Sequence, residues 1–209
     1  MAVGRLQKFE GILDAAVKVF AERGYRGSQI SRIAKEAGVA DGTIYLYFKN
    51  KEDILVSLFR ERLGALIGKF EYAVRASKTA EEALRLICEL HFAELERHPL
   101  LAHVTQIELR QSAFELRKEI GKTLKPYLLL IEGVLLRGIA DGAFRPEIDV
   151  KLSRQLIFGA MDEAVSSWLL SERKYALAAQ VDGTVDFFCA RCGPEVDAQN
   201  ERPFFPSPQ

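Results

Sequence analysis

Apolar residues return every three or four positions along almost the whole chain, and nowhere in a sustained every-other pattern. That spacing allows helices packed on helices and leaves no material for a sheet. The breakers then set the lengths. Phe9, Ile12, Leu13, Ala16, Val17 and Phe20 form one helical face that ends at Gly24. Ser28 can cap a short second helix with Ile30, Ile33, Ala34 and Ala37 inward, stopped by Gly38. A third short helix starts near Asp41 and carries Ile44, Tyr45, Tyr47 and Phe48. Asn50-Lys51-Glu52-Asp53 reads as a cap with acidic residues in the first turn of a fourth helix. That helix meets no breaker before Ser77-Lys78-Thr79, so it spans about 38 Å, enough to tie a small head to a larger body.

The rest of the chain repeats the pattern with longer helices. One is expected from Thr79 to Arg97, ended by Pro99, and another from about Leu100 to Leu116. A third runs to Asp141-Gly142, with Pro126 expected to bend or break it. The last two cover about Val150 to Leu170 and Tyr175 to Ala190. The stretch after Cys192 is rich in Pro and polar residues and reads as a disordered tail. The expectation is an all-α protein of about nine helices. Residues 1–52 would form a small helical head, 53–192 a larger helical body, and 193–209 the tail.

Global charge is balanced, with 29 basic and 29 acidic residues, but the two ends differ. Through Lys51 there are nine basic and five acidic residues, a net of +4, which leaves −4 for the remainder. A basic end on an acidic body suits a protein that presents its head to a polyanion. In a helix-turn-helix the third helix lies in the major groove, held at a fixed angle by its neighbours. The small start Asp41-Gly42-Thr43 lets backbone approach DNA, and Thr43 can touch a base edge. Tyr45 and Tyr47 can reach phosphates through their hydroxyls, and Lys51 can pair with one. Taken alone, Tyr45-Leu46-Tyr47-Phe48 would read as core, but two tyrosines flanking a leucine cannot both turn inward in so short a helix.

Gly24-Tyr25, the run Ser28 to Val39, and the run Gly42 to Glu52 together resemble the signature of the tetracycline-repressor (TetR) family of transcriptional regulators. The resemblance covers about a quarter of the chain. It implies Gln29, Thr43, Tyr45, Tyr47 and Lys51 near DNA, and Ile30, Ile33, Ala34 and Phe48 as core. With Ser28 and Gly42 these make the expected DNA-facing set. Scattered blocks over most of the chain resemble one branch of the family, the FadR-type repressors of fatty-acid degradation that respond to long-chain acyl-CoA. They include Ala40 to Leu55, Val104-Thr105-Gln106, Glu108 to Ser112, and Arg154-Gln155 with Ile157-Phe158-Gly159.

That branch implies a palindromic operator bound by a homodimer and released by acyl-CoA, an effector rather than a cofactor. His103 to Ser112 interleaves polar with apolar residues on a helix expected to be buried. His103, Gln106, Arg110, Phe114, Arg117 and Phe158 are therefore the candidate ligand set, with an apolar tunnel for the acyl chain and Arg110, Arg117, Lys118 and Lys122 as cations at its mouth. Arg110 could equally pair with Glu108, Asp162 or Glu163, and the other three could form a solvated face. For the dimer the candidates are Phe158, Met161, Val165, Trp168, Val181 and Val185, beside the small residues Gly159, Ala160 and Ala164. Spacing alone serves intramolecular core as well; the family's habit of pairing the last two helices into a four-helix bundle favours the interface.

Other chemistries find little support. Cys189 and Cys192 have metal-like spacing, but no histidine follows and Cys88 is distant, so no metal site is expected. His91, His98 and His103 are dispersed and call for no ligand role. No phosphate loop, nucleophile elbow or zinc-helix motif occurs, which argues against an enzyme. The start lacks an apolar signal region and no run suits a membrane span, so the cytoplasm is the default location. The alternative within the same fold is a repressor of an efflux or transporter gene that senses lipophilic cations through buried carboxylates, for which Asp162 and Glu163 are the candidates.

Overall fold

The computed structural model describes residues 2–108 and 113–193. Among these there are nine α-helices and no strand. They are α1 (Ala2–Arg23), α2 (Ile30–Glu36), α3 (Asp41–Ile44), α4 (Lys51–Ala76), α5 (Ala80–Arg97), α6 (Pro99–His103), α7 (Phe114–Ala140), α8 (Val150–Leu170) and α9 (Val181–Cys192). A π-helical turn, Val104–Glu108, follows α6, and a 3₁₀ turn, Leu177–Gln180, precedes α9.

The ends of these helices are chemically marked. Gly24 stops α1 with φ +72°, a left-handed conformation that costs glycine nothing. Asn50 accepts the Asp53 N–H at 2.8 Å while the Asp53 carboxylate accepts the Lys49 N–H at 2.9 Å, a reciprocal cap that starts α4. Thr79 caps α5 through the Glu82 N–H at 3.0 Å, and Asp149 caps α8 through two N–H groups. The α2 cap differs from expectation. Gln29 stands at the N-cap, and the Ser28 hydroxyl points inward, donating to the carbonyls of Gly24 (2.7 Å) and Val19 (3.2 Å).

Two further boundaries shift. The segment expected as one helix from Leu100 to Leu116 is a short α6 plus the π-helical turn, and α7 restarts at Phe114. Pro126 lies inside α7 without ending it. The final helix begins at Val181, after a 3₁₀ turn, rather than at Tyr175. The tail expected from residue 193 lies outside the described residues beyond Gly193.

Packing divides the molecule into two apolar cores. The first gathers Ile12, Leu13, Ala16, Phe20, Tyr25, Ile33, Ala34, Ile44 and Phe48 of the head with Ile54, Leu55, Leu58 and Phe59 of α4. Val104, Leu116 and Ile120 from the body complete it. The second takes the rest of α4 from Leu66, with α5, α7, α8 and α9. The head's core thus extends past residue 52, and α4 belongs to both cores. At the far end Gly138 lets α7 pass under the Phe144 ring: a Cβ there would lie 2.1 Å from a ring carbon.

Candidate nucleic-acid interface and effector cavity

The reading surface is built around α3. Ile44 and Phe48 anchor it in the head's core, which turns Gly42 and Tyr45 to solvent and leaves Thr43 and Tyr47 half-buried. Gln29, exposed at the start of α2, lies at the same turn-rich end of the head. Tyr47 is wedged against α1: its ring centroid is 6.5 Å from that of Phe9, and the Arg5 guanidinium lies 5.9 Å over it. Arg5, Lys8, Leu46 and Tyr47 line one shallow depression, so two cations of α1 flank the edge of α3. Composition had counted these cations without placing them.

Two members of the expected DNA-facing set do not face outward. Ser28 is buried and both its carbonyl partners are intramolecular. The Lys51 ammonium donates to the carbonyls of Tyr25 (2.8 Å), Ser28 (3.1 Å) and Arg26 (3.3 Å), and sits 4.6 Å over the Tyr25 ring. An ammonium has three donors, and all three are engaged. Lys51 therefore pins the α1–α2 loop to the start of α4. Its signal in sequence is the same as that of a phosphate-binding lysine, because only the fold decides where a flexible stem points.

The cavity lies under α4. It encloses about 170 Å3 between Leu58, Phe59, Leu63 and Leu66 of α4, α5, α6 and the π-helical turn, Leu124 and Tyr127 of α7, and Phe158 of α8. Polar side chains on its wall are few: Arg62, His91, Glu94, Thr105, Gln106 and Asp162. Gln106 is buried and its side-chain oxygen accepts from Ser166 at 3.3 Å. His91 Nδ1 lies 3.2 Å from the Tyr127 hydroxyl, and its Nε2 meets no hydrogen-bonding partner among the described residues. Burial pushes the His91 imidazole down to about 4, against the opposing pull of the Asp162 carboxylate. The ring is therefore neutral near pH 7, and the charged groups on the wall are Arg62, Glu94 and Asp162.

Of the ligand candidates read from sequence, Gln106 and Phe158 line this cavity. His103 does not line it, although it is half-buried on α6. Phe114 is 67% exposed at the start of α7, and Arg117 lies over its ring, 5.9 Å from the centroid; neither lines the cavity. Arg110 lies outside the described residues. The carboxylates weighed for a cation sensor separate: Asp162 is on the wall, whereas Glu163 turns outward and accepts from Ser167 at 3.1 Å. His91 and Tyr127 were missed. The available signal was a histidine standing in the apolar stripe Ile87, Cys88, Phe92, Leu95 of α5.

The cavity touches the head at two places. On the π-helical turn, Thr105 and Gln106 face the cavity, while Val104 packs in the head's core and the Glu108 carboxylate accepts the Tyr25 N–H at 2.7 Å. A π-helical turn lets neighbouring residues on one short segment address opposite sides. On α4, Arg62 borders the cavity and donates to Glu10 and Asp14 of α1, both at 2.7 Å. Burial opposes the Arg62 charge, but these carboxylates outweigh it and leave the guanidinium harder to deprotonate than usual.

The side chains expected at a dimer interface are instead intramolecular. Met161, Val165, Trp168, Val181 and Val185 are buried in the second core, and Phe158 lines the cavity. The large apolar residues that α8 and α9 leave outside are Leu152, Leu156, Leu170 (75% exposed) and Phe187 (61% exposed). Leu152, Leu156, Ala160 and Phe187 line one groove between these helices.

Residues 12–58 match the family profile described as bacterial regulatory proteins, tetR family, and residues 59–190 match the YsiA-like protein, C-terminal region. The fatty acid metabolism regulator protein of Bacillus subtilis (strain 168) is 52% identical over 172 residues, which span 82% of this chain and 89% of that protein. The crystal structure of the transcriptional regulator FadR from Bacillus subtilis in complex with stearoyl-CoA superposes with a TM-score of 0.85 at 49% identity, over 87% of this chain and 98% of that one. FadR from Bacillus halodurans, a fatty acid degradation regulator, gives 0.84 at 46% identity, over 87% and 97%. Among the described residues no helix is long and apolar enough to cross a membrane, and no group of three potential metal ligands occurs.

Proposed function

The chain belongs to the TetR family of bacterial regulatory proteins, and from that premise we propose that it is a dimeric repressor of fatty-acid degradation genes whose effector is a long-chain acyl-CoA. The observation that carries this reading is the apolar cavity under α4, in a chain about half identical to a regulator seen with stearoyl-CoA. Its walls are mostly leucine and aromatic carbon, its one histidine is neutral, and Arg62 and Glu94 are ion-paired, so an alkyl chain meets mainly apolar surface there. In the same way the relatives favour an acyl ligand over a lipophilic cation.

The size of the cavity supplies the switch. About 170 Å3 is below the ~300–1,000 Å3 of pockets that enclose a drug-sized ligand, so a long acyl chain enters only by moving the walls. Those walls include α4 and the π-helical turn, the segments that also hold the head. A ligand shifts the equilibrium only by its differential affinity for the two states. Moving it from 1:99 to 99:1 takes about 5.5 kcal/mol. At about 0.8 kcal/mol per methylene, seven methylenes buried in one state and not the other supply that amount, fewer than a stearoyl chain contains.

The DNA contacts proposed are Gln29, Gly42, Thr43, Tyr45 and the edge of Tyr47, with Lys51 and Ser28 holding the head in shape. Two copies would pair through Leu152, Leu156, Ala160 and Leu170 of α8 with Phe187 of α9, forming a four-helix bundle that fixes the separation of the two heads. A neutral soluble regulator of this kind works in the cytoplasm and carries out no catalysis. Isothermal titration with stearoyl-CoA tests the cavity: wild type binds one per subunit, and Leu124→Trp, which fills the site, binds at least tenfold more weakly. Undiminished binding by a folded Leu124→Trp variant would place the ligand elsewhere.

A further inference from the structure

The wall of the cavity under α4 holds one polar group whose hydrogen-bonding capacity the protein does not meet. His91 stands on α5 within the apolar stripe of Ile87, Cys88, Phe92 and Leu95, is only 5% exposed, and lines the cavity. Its Nδ1 lies 3.2 Å from the Tyr127 hydroxyl, and its Nε2 is buried without a hydrogen-bonding partner among the described residues. The tautomer follows from the placement of two protons. If Tyr127 donates to Nδ1, the hydroxyl is satisfied and Nε2–H is the single unmet group. The reverse leaves the Tyr127 proton and a bare Nε2 both unmet, so the first arrangement costs less. Asp162 pulls on the charge of the ring but makes no hydrogen bond to Nε2, and the Gln106 side-chain oxygen is engaged with Ser166. A saturated alkyl chain brings no acceptor either.

We propose that His91 determines ligand specificity by donating from Nε2–H to an oxygen carried on the body of the acyl chain, so that hydroxyacyl or ketoacyl thioesters are preferred over plain saturated ones. This rests on the acyl-CoA reading above and names the chain chemistry of that same site. The thioester carbonyl is the competing acceptor, and the geometry disfavours it. A cavity of about 170 Å3 cannot take in the nucleotide portion of CoA, so the thioester stays at its edge, whereas Nε2 is shut off from solvent. The chain reaches that depth, and an oxygen on it gives up water to do so. A donor already in place offsets that cost, and a buried N–H without an acceptor is a penalty that the same contact removes. Tyr127 is the positioning residue: by occupying Nδ1 it keeps the ring's proton on Nε2.

The test is isothermal titration of the full-length protein with stearoyl-CoA and with a series of derivatives that carry one hydroxyl or one keto oxygen at successive carbons of the chain. Wild type should bind the best-placed derivative about tenfold more tightly than stearoyl-CoA. In His91→Phe the same oxygen is buried without a donor, and the order should reverse, with stearoyl-CoA tighter by about tenfold. His91→Gln, whose amide N–H falls near the place of Nε2, should restore part of the preference, and Tyr127→Phe should weaken it. A merely structural histidine would shift all the ligands together and leave their ratios unchanged. Failure of every derivative to exceed stearoyl-CoA on wild type, or a preference undiminished in folded His91→Phe, would overturn the proposal and leave the acyl cavity standing. Binding of neither stearoyl-CoA nor any derivative by wild type would overturn both readings.

Discussion

Replacing His91 by phenylalanine should remove a defined part of the protein's sensitivity to acid. In the folded protein His91 is fully enclosed, with Tyr127 at one ring nitrogen, and burial holds it down to about 4. In the unfolded chain it titrates near its ordinary ~6.5. Above that pH both states carry a neutral ring and the group contributes nothing to the pH dependence. As pH falls through 6.5 the unfolded state takes up the proton first, and stability falls until the folded ring also titrates near 4. The full span is worth about 3 kcal/mol, of which about 2 kcal/mol is lost between pH 7 and pH 5. Urea unfolding followed by circular dichroism at each pH, at one fixed protein concentration because the protein is expected to dimerise, measures it for wild type and His91→Phe. The other titrating groups cancel in the comparison. Wild type should lose about 2 kcal/mol more than the variant over that interval; parallel curves would show that His91 is already accessible to protons in the native state, and the closed cavity wall would be refuted.

Three further substitutions address other parts of the account. Gly138→Ala places a Cβ inside the Phe144 ring and should cost about 1–3 kcal/mol, read as a lowered Tm with unchanged stearoyl-CoA affinity. Lys51→Met frees three carbonyls of the α1–α2 loop and should lower thermal stability as well as operator affinity, by about 1.5–3 kcal/mol, whereas a lysine used only for phosphate contact would weaken DNA binding alone. Phe187→Glu on the exposed face of α9 should convert the dimer to a monomer in sedimentation velocity without unfolding it; a persistent dimer would place the interface elsewhere.

The head was legible because its punctuation is chemical. Gly24, Gly38 and the Asn50–Asp53 cap each solve a local backbone problem, and they fall where the sequence reading placed them. Pro126 did not break α7, because a proline inside a long helix can be tolerated when the flanking turns are packed, whereas residues 104–108 carried no breaker to announce a π-helical turn. The dimer set failed for a different reason. On α8 the bulky residues Met161, Val165 and Trp168 follow helical spacing, and spacing says which residues share a face without saying what covers it. The body covered that face, leaving outside the leucines of the next stripe. Lys51 and Ser28 show the same limit at a single residue: their side-chain partners lie up to 26 positions away. The Arg62 contact with α1 spans 52 positions and has no local trace at all.

The most direct test uses an operator that the protein itself selects from random duplexes, fluorescently labelled and bound at physiological salt, into which stearoyl-CoA is titrated while anisotropy is read. The expected result is loss of the complex as one acyl-CoA per subunit is taken up, with free CoA at the same concentration having no effect. Operator affinity unchanged at saturating stearoyl-CoA would contradict the claim that filling the cavity under α4 moves the head.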